Sequence, residues 1–123
     1  MLRHAKKRVL IILPSPVFPV DPHEYIDRML IAGRSPTLNM TRAEHFAKFA
    51  EVIGSIETVA HRTDATLFDP SAILCNVGHC RYESNGVSLY KDKSHLTIDG
   101  ARLLTQGLMQ ALINAGPAAM RPQ

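Results

Sequence analysis

Five aliphatic residues in a row, Val9-Leu10-Ile11-Ile12-Leu13, run into Pro14 and Pro16. No other stretch narrows the possible folds as much. An apolar run without polar alternation, rich in aliphatic side chains and stopped by proline, reads as a strand from Arg8 to Leu13 buried on both faces, the pattern of a parallel strand in an α/β sheet. Parallel neighbours cannot be joined by a tight turn and need a crossover, usually a helix. The chain supplies one. Thr41-Arg42-Ala43-Glu44 has the form of a capping box, and Phe46, Phe49, Val52, Ile53, Ile56, Val59 and Ala60 follow at helical spacing. Thr63 to Asp69 then returns to the sheet, with Ala65-Thr66-Leu67-Phe68 as a short strand and Asp69-Pro70 opening a turn. Strand, helix and strand with a right-handed crossover predict an α/β architecture. The Pro14-Ser15-Pro16 loop falls at the carboxyl edge of that sheet, where open α/β folds place their sites.

The remaining elements have local signatures. Asp21-Pro22-His23-Glu24 combines a capping acceptor, a proline at the first helical position and an acid in the first turn, so a short helix packs Tyr25, Ile26, Met29 and Leu30 before Gly33 ends it. His23 reads there as a surface residue. His45 and His61 flank the long helix without a partner at i+4 and read as solvated, and Arg42, Lys48 and Glu51 fit its wet face. Ser84-Asn85-Gly86 marks a hairpin between Arg81-Tyr82-Glu83 and Val87-Ser88-Leu89. A last helix spans Thr97 to Ala115, with Ile98, Ala101, Leu104, Leu108, Ala111 and Leu112 on its buried side and Gly116-Pro117 as its stop. The tail from Ala118 is expected to fray.

With 123 residues, 46% hydrophobic and 20% charged, the composition is that of one globular domain or part of one. The net charge of +3 comes partly from Arg3, Lys6, Lys7 and Arg8 at one end. Without an arginine-rich stripe or interleaved aromatics, that cluster does not argue for a nucleic-acid partner. Val9 to Leu13 is too short for the apolar region of a signal peptide, and prolines follow it where small residues would be needed. No stretch approaches the length that spans a bilayer.

The chemistry concentrates in Leu89-Tyr90-Lys91-Asp92-Lys93-Ser94-His95-Leu96, just before the last helix. A carboxylate three residues before an imidazole can fix the ring's tautomer and stabilise the imidazolium that forms when the other nitrogen takes a proton. Asp92 and His95 are therefore candidates for two thirds of a catalytic triad, against the plainer alternative of a solvated helix-entry loop. Ser15, at the sheet edge, is a weak candidate nucleophile, because both its neighbours are prolines where a nucleophile turn wants a permissive residue. Cys75 and Cys80 are the only cysteines. Their spacing admits a disulfide, two buried thiols, or a metal site with His79 and, as a fourth ligand, His95. A disulfide closing so short a loop contributes about 2 kcal/mol and implies an oxidising compartment.

Asp69-Pro70, Leu74-Cys75, Cys80, Gly86, Leu89-Tyr90, Asp92, His95-Leu96 and Gly100-Ala101 together resemble the carboxyl-terminal block of SGNH-type (GDSL-like) domains fused to membrane acyltransferases of the acyltransferase-3 family. The specific resemblance covers about residues 65–115, with Thr97 where the family has serine. It implies a three-layer α/β/α flavodoxin-like fold, incomplete at the amino end, with residues 1–123 as a single partial SGNH domain. It also implies an O-acyltransferase or acyl esterase acting on O-acetyl groups of cell-envelope saccharides, without metal or cofactor. By that resemblance His95 is the general base and Asp92 its orienting partner. The partners are an acyl donor, a saccharide acceptor and an upstream membrane acyltransferase domain, and the location is the periplasmic or cell-envelope face of the membrane. The family's nucleophile is the serine of a G-D-S block, which this sequence lacks. The expectation is therefore a chain inactive alone, either the carboxyl-terminal part of a longer enzyme or an inactive structural or binding module derived from one.

Overall fold

Leu10–Ile12 forms β1 and Thr66–Phe68 forms β2, paired in parallel with Leu10 opposite Thr66 and Ile12 opposite Phe68. They make the sheet of an α/β fold in the computed structural model, which describes residues 8–115. Bonds from Thr66 N–H to the Val9 carbonyl (3.0 Å) and from Leu13 N–H to the Phe68 carbonyl (2.9 Å) carry the ladder one residue further at each end. Pairing is as expected, but burial on both faces is not. Ile12 is 53% exposed, and Leu10 and Ile11 are only half-buried. The reason is plain: among the described residues β1 has a strand on one side only.

Helix α1, Pro22–Ile31, starts where its capping pattern requires, with the Asp21 carboxylate accepting from the His23 N–H at 2.8 Å. Gly33 follows with φ 70° and ends it. Tyr25, Ile26 and Met29 are half-buried, whereas Leu30, expected on the same face, is exposed.

The single long helix expected after Thr41 is two: α2, Arg42–Lys48, and α3, Ala50–Thr63. Thr41 and Glu44 make the full reciprocal capping box. Between the helices Phe49 sits at φ −107°, ψ 18°. Its N–H still bonds the His45 carbonyl, and Ile53 N–H bonds the Phe49 carbonyl, so the two helices share Phe49 as the last link of one and the first of the other. Four side chains on this segment differ from expectation: Val52 and Val59 of the apolar stripe are 49% and 51% exposed, and His45 and Arg42 turn inward. His45 is 1% exposed, packed between the Phe46 and Phe49 rings. Arg42 leaves the wet face because two acceptors draw it in: it donates to Asp69 Oδ2 at 2.8 Å and to Ser71 Oγ at 3.0 Å, with its guanidinium over the Phe46 ring. His61 is exposed as expected.

After β2, Asp69 Oδ1 accepts from both the backbone and hydroxyl of Ser71 and starts a single turn, α4 (Ser71–Leu74), that no sequence signal announced. The chain then doubles back through the Cys75–Cys80 disulfide. Glu83–Ser84 (β3) and Val87–Ser88 (β4) form the hairpin, with Asn85 and Gly86 at φ 51° and 78° in its turn. Phe18, Met40, Leu74, Cys75, Cys80, Leu89 and Tyr90 make one buried cluster, in which the Phe18 and Tyr90 rings meet edge to face at 4.8 Å.

Helix α5, Ile98–Ala115, packs on β2, β1 and α4. Its buried face is rotated from the one expected. Ile98 is 72% exposed and Ala101 and Leu112 are exposed too, while Gly100 is buried and Leu103, Leu104, Gly107, Leu108 and Ala111 are half-buried. Two glycines explain the rotation. A Cβ at Gly107 would lie 2.5 Å from Ile73 Cδ1 and 3.2 Å from the Phe68 ring, and one at Gly100 would collide with the Leu89 carbonyl. The helix therefore turns its glycines, not its longest aliphatics, toward the strands and the loop before it. Among the described residues no helix is long and apolar enough to cross a membrane. Arg3, Lys6, Lys7, the Gly116-Pro117 stop and the tail from Ala118 lie outside those residues.

Candidate active site

Where β1 ends in prolines, the chain runs along the loop that joins β4 to α5. The buried Tyr90 hydroxyl donates to the Pro16 carbonyl at 2.7 Å, and Phe18 N–H donates to the Lys93 carbonyl at 2.8 Å. These bonds hold the Asp92 to His95 loop against the segment leaving the carboxyl end of β1. Burial pushes the Tyr90 phenol well above its ordinary range, so it is a neutral, permanent donor. Two further bonds close the loop on itself, Lys91 N–H to the His95 carbonyl (2.9 Å) and Thr97 N–H to the Leu89 carbonyl (3.0 Å). Thr97 caps α5, accepting from Gly100 N–H at 3.0 Å while its hydroxyl donates to the Ser88 carbonyl at 2.7 Å.

Inside this frame the two oxygens of Asp92 divide their work. Oδ1 accepts from the backbone N–H groups of His95 (2.7 Å) and Ser94 (2.8 Å), and Oδ2 lies 2.8 Å from His95 Nδ1. The Ser94 and His95 amides, then the imidazole, hold the Asp92 carboxyl far below the usual carboxylate range. An ionised carboxylate only accepts, so Nδ1 carries the hydrogen and the lone pair is on Nε2. The ring is largely exposed, and Nε2 has no hydrogen-bond partner among the described residues. The arrangement can accept a proton at Nε2 and stabilise the resulting imidazolium through Asp92.

The other candidates separate. Ser15 is half-buried at the carboxyl edge, as its place in the sequence requires, but makes no hydrogen bond to His95. Cys75 and Cys80 are joined to each other, which removes both thiolates from the metal reading, and they brace the core under the loop. His23, expected as a surface residue, places Nε2 at 2.8 Å from the Tyr90 carbonyl and 2.9 Å from Ser88 Oγ. It thereby ties α1 to the start of the loop. No local signal in the sequence links residues so far apart. A cleft of about 550 Å³ opens beside the pair, between Val20, Tyr25, Arg28 and Met29 on one wall and Asp92 and Ser94 on the other. A larger one, about 630 Å³, lies at the amino end of the strands around Arg8, His61 and Thr66, away from this chemistry.

A parallel pair of strands thus has its carboxyl edge covered by an Asp-x-x-His loop that leads directly into the final helix; comparison with known proteins assigns this α/β domain to the SGNH type. The chain belongs to that family: the model of the SGNH domain (fused to AT3 domains) matches residues 1–110. A solved structure of the same fold is the periplasmic domain of the lipopolysaccharide acetyltransferase of Salmonella ser. Paratyphi A, 18% identical, with a TM-score of 0.68 over 89% of this chain. The match covers 43% of that domain, so the chain spans less than half the length of the solved structure it resembles. No curated protein sequence matches the chain.

Proposed function

We propose that this chain is a single partial SGNH domain, the carboxyl-terminal part of an O-acyltransferase or acyl esterase acting on O-acetyl groups of cell-envelope saccharides. The observation that carries the reading is the 2.8 Å contact between Asp92 Oδ2 and His95 Nδ1, with Nε2 open to solvent. In this reading a serine from the amino-terminal part of the domain attacks the acyl carbonyl as its proton passes to His95 Nε2. Asp92 stabilises the imidazolium. The proton then goes to the departing alkoxide, leaving an acyl-serine, and a saccharide hydroxyl or water repeats the sequence in reverse. The family's fusion to AT3 domains and the periplasmic origin of the solved relative support an upstream membrane acyltransferase domain and a site on the periplasmic face.

The test uses the domain completed with its upstream coding segment. His95→Ala is expected to lower hydrolysis of an acetyl ester by roughly 10³-fold or more, and Asp92→Asn by a comparable factor. Full activity of the His95→Ala domain would sink the role given to that residue. A fluorophosphonate probe is expected to label a serine outside this chain and leave Ser15 unlabelled. The second reading, an inactive binding or structural module, draws on the absence of any bond between Ser15 and His95. It predicts no labelling at all in the completed domain.

A further inference from the structure

The root of the Asp92 to His95 loop is the Tyr90–Leu96 pair, an isolated antiparallel bridge. The bonds on either side of it run from Lys91 N–H to the His95 carbonyl and from Thr97 N–H to the Leu89 carbonyl, so the backbone groups of Tyr90 itself point out of the loop. Its carbonyl accepts instead from two side chains, His23 Nε2 at 2.8 Å and Ser88 Oγ at 2.7 Å. These contacts fix the His23 tautomer. A carbonyl has no hydrogen to give, so Nε2 carries one. Ser88 directs its single hydroxyl hydrogen to the same carbonyl, which leaves a lone pair of Oγ facing Nε2 at 2.9 Å. The Nε2–H is thus shared by two acceptors. His95 is the opposite case, with its hydrogen on Nδ1 and its lone pair on Nε2.

We infer that His23 is a positioning residue for the dyad: its Nε2–H holds the Tyr90 carbonyl, and with it the place of the loop that carries Asp92 and His95. The inference rests on the proposed reading of that pair as a base and its orienting partner. Tyr90 is already anchored at its other end, where the hydroxyl donates to the Pro16 carbonyl. His23 sits in the first turn of α1, so the loop root is held from α1 as well as from the segment that leaves β1. Reacting groups misplaced by about 1 Å can cost a hundredfold in rate, and a root held at both ends limits such drift. The His23 side chain is exposed, so substituting it removes a tether and not a piece of the core. Water then takes its place at the carbonyl. The fold stays, and the aim of the loop loosens.

The experiment begins with the isotope-labelled 123-residue chain. Long-range proton–nitrogen spectra of the neutral imidazoles are expected to place the His23 hydrogen on Nε2 and the His95 hydrogen on Nδ1. A His23 hydrogen on Nδ1 overturns the inference. His23→Ala is expected to speed amide exchange at Lys91 and Thr97 roughly tenfold, while Leu13 and Thr66 of the strand pair keep their rates. His23→Gln, whose amide can donate from near the place of Nε2, is expected to restore the slow exchange. Unchanged exchange at Lys91, or an equal rise in the strands, overturns the inference, the second because it marks a loss of global stability alone. In the domain completed with its upstream coding segment, His23→Ala is expected to lower kcat/KM for an acetyl ester roughly tenfold, and His23→Gln to recover most of it. An active domain in which His23→Ala keeps the parent rate sinks this inference and leaves the proposed function standing. A domain inactive with His23 in place sinks the proposed function, and the tautomer and exchange results then decide the tether by themselves.

Discussion

Between Leu89 and Thr97 the Asp92 carboxylate, the Thr97 hydroxyl and the amides of Lys91, Ser94, His95 and Thr97 find partners close at hand, whereas on the outer side of β1 the amides of Leu10 and Ile12 find none beyond the strand pair among the described residues. The loop gets its shape from its own residues and from Pro16 and Phe18. The strand has the composition of a central one and the surroundings of an edge. The difference teaches that a loop can be complete in its local bonding while, among the described residues, the strand it rests against has a partner on one side only. Burial divides the same way, with Leu89 and Tyr90 buried and Ile12 mostly exposed.

Substitutions in the two regions should differ accordingly. The largest effect is expected from Gly100→Ala, because the added Cβ meets a backbone carbonyl of the loop. A loss of about 3 kcal/mol in denaturant unfolding is expected. Gly107→Ala should cost less, since it meets the movable end of Ile73. An equal cost at both positions would break the claim that the loop is the more rigid neighbour. Reducing the Cys75–Cys80 bond, or replacing both cysteines with serine, should lower stability by about 2 kcal/mol, read from the shift of the urea midpoint at constant slope.

The third prediction concerns pH. His45 is buried with both ring nitrogens unpartnered, and burial lowers its pKa. Asp69 opposes that shift, while Arg42 and Lys48 add to it. Unfolding releases an imidazole that takes up a proton more readily than the native one. Stability is therefore full above the ordinary histidine range near 6.5 and falls as the pH drops below it, by up to roughly 1.4 kcal/mol per pH unit. His45→Leu should flatten this acid limb and cost little at pH 7, since it removes a polar group that has no partner. An unchanged slope would show that other groups set it. The smallest effect belongs to the open side: Val59→Lys should change the isolated chain by no more than about 0.5 kcal/mol.

Much of this was legible because the signals were local. The aliphatic run, the Thr41 to Glu44 box, the Asn85-Gly86 turn and the Asp92 to His95 spacing each act within a few residues, and each appears in the fold. What was missed depends on distant neighbours. The bend at Phe49 has no proline or glycine to announce it, and His45 lies inside because the tertiary fold, not its helix pattern, decides its side. The buried face of α5 follows close approach at two glycines, which hydrophobic periodicity ranks low. The His23 contact joins residues 67 apart in sequence. The contact between Asp92 and His95 could be read, but whether the ring faces a hydroxyl could not, because Nε2 has no partner among the described residues.

The bond from the Tyr90 hydroxyl to the Pro16 carbonyl makes the loop a rider on β1. Together with Phe18 to Lys93 it gives two attachments on one side of the imidazole, a short mechanical linkage from strand to ring. The loop is thereby located from the segment that leaves β1 as well as by its own bonds. The place of the His95 ring therefore depends on the Pro16 and Phe18 backbone as well as on Asp92 beside it.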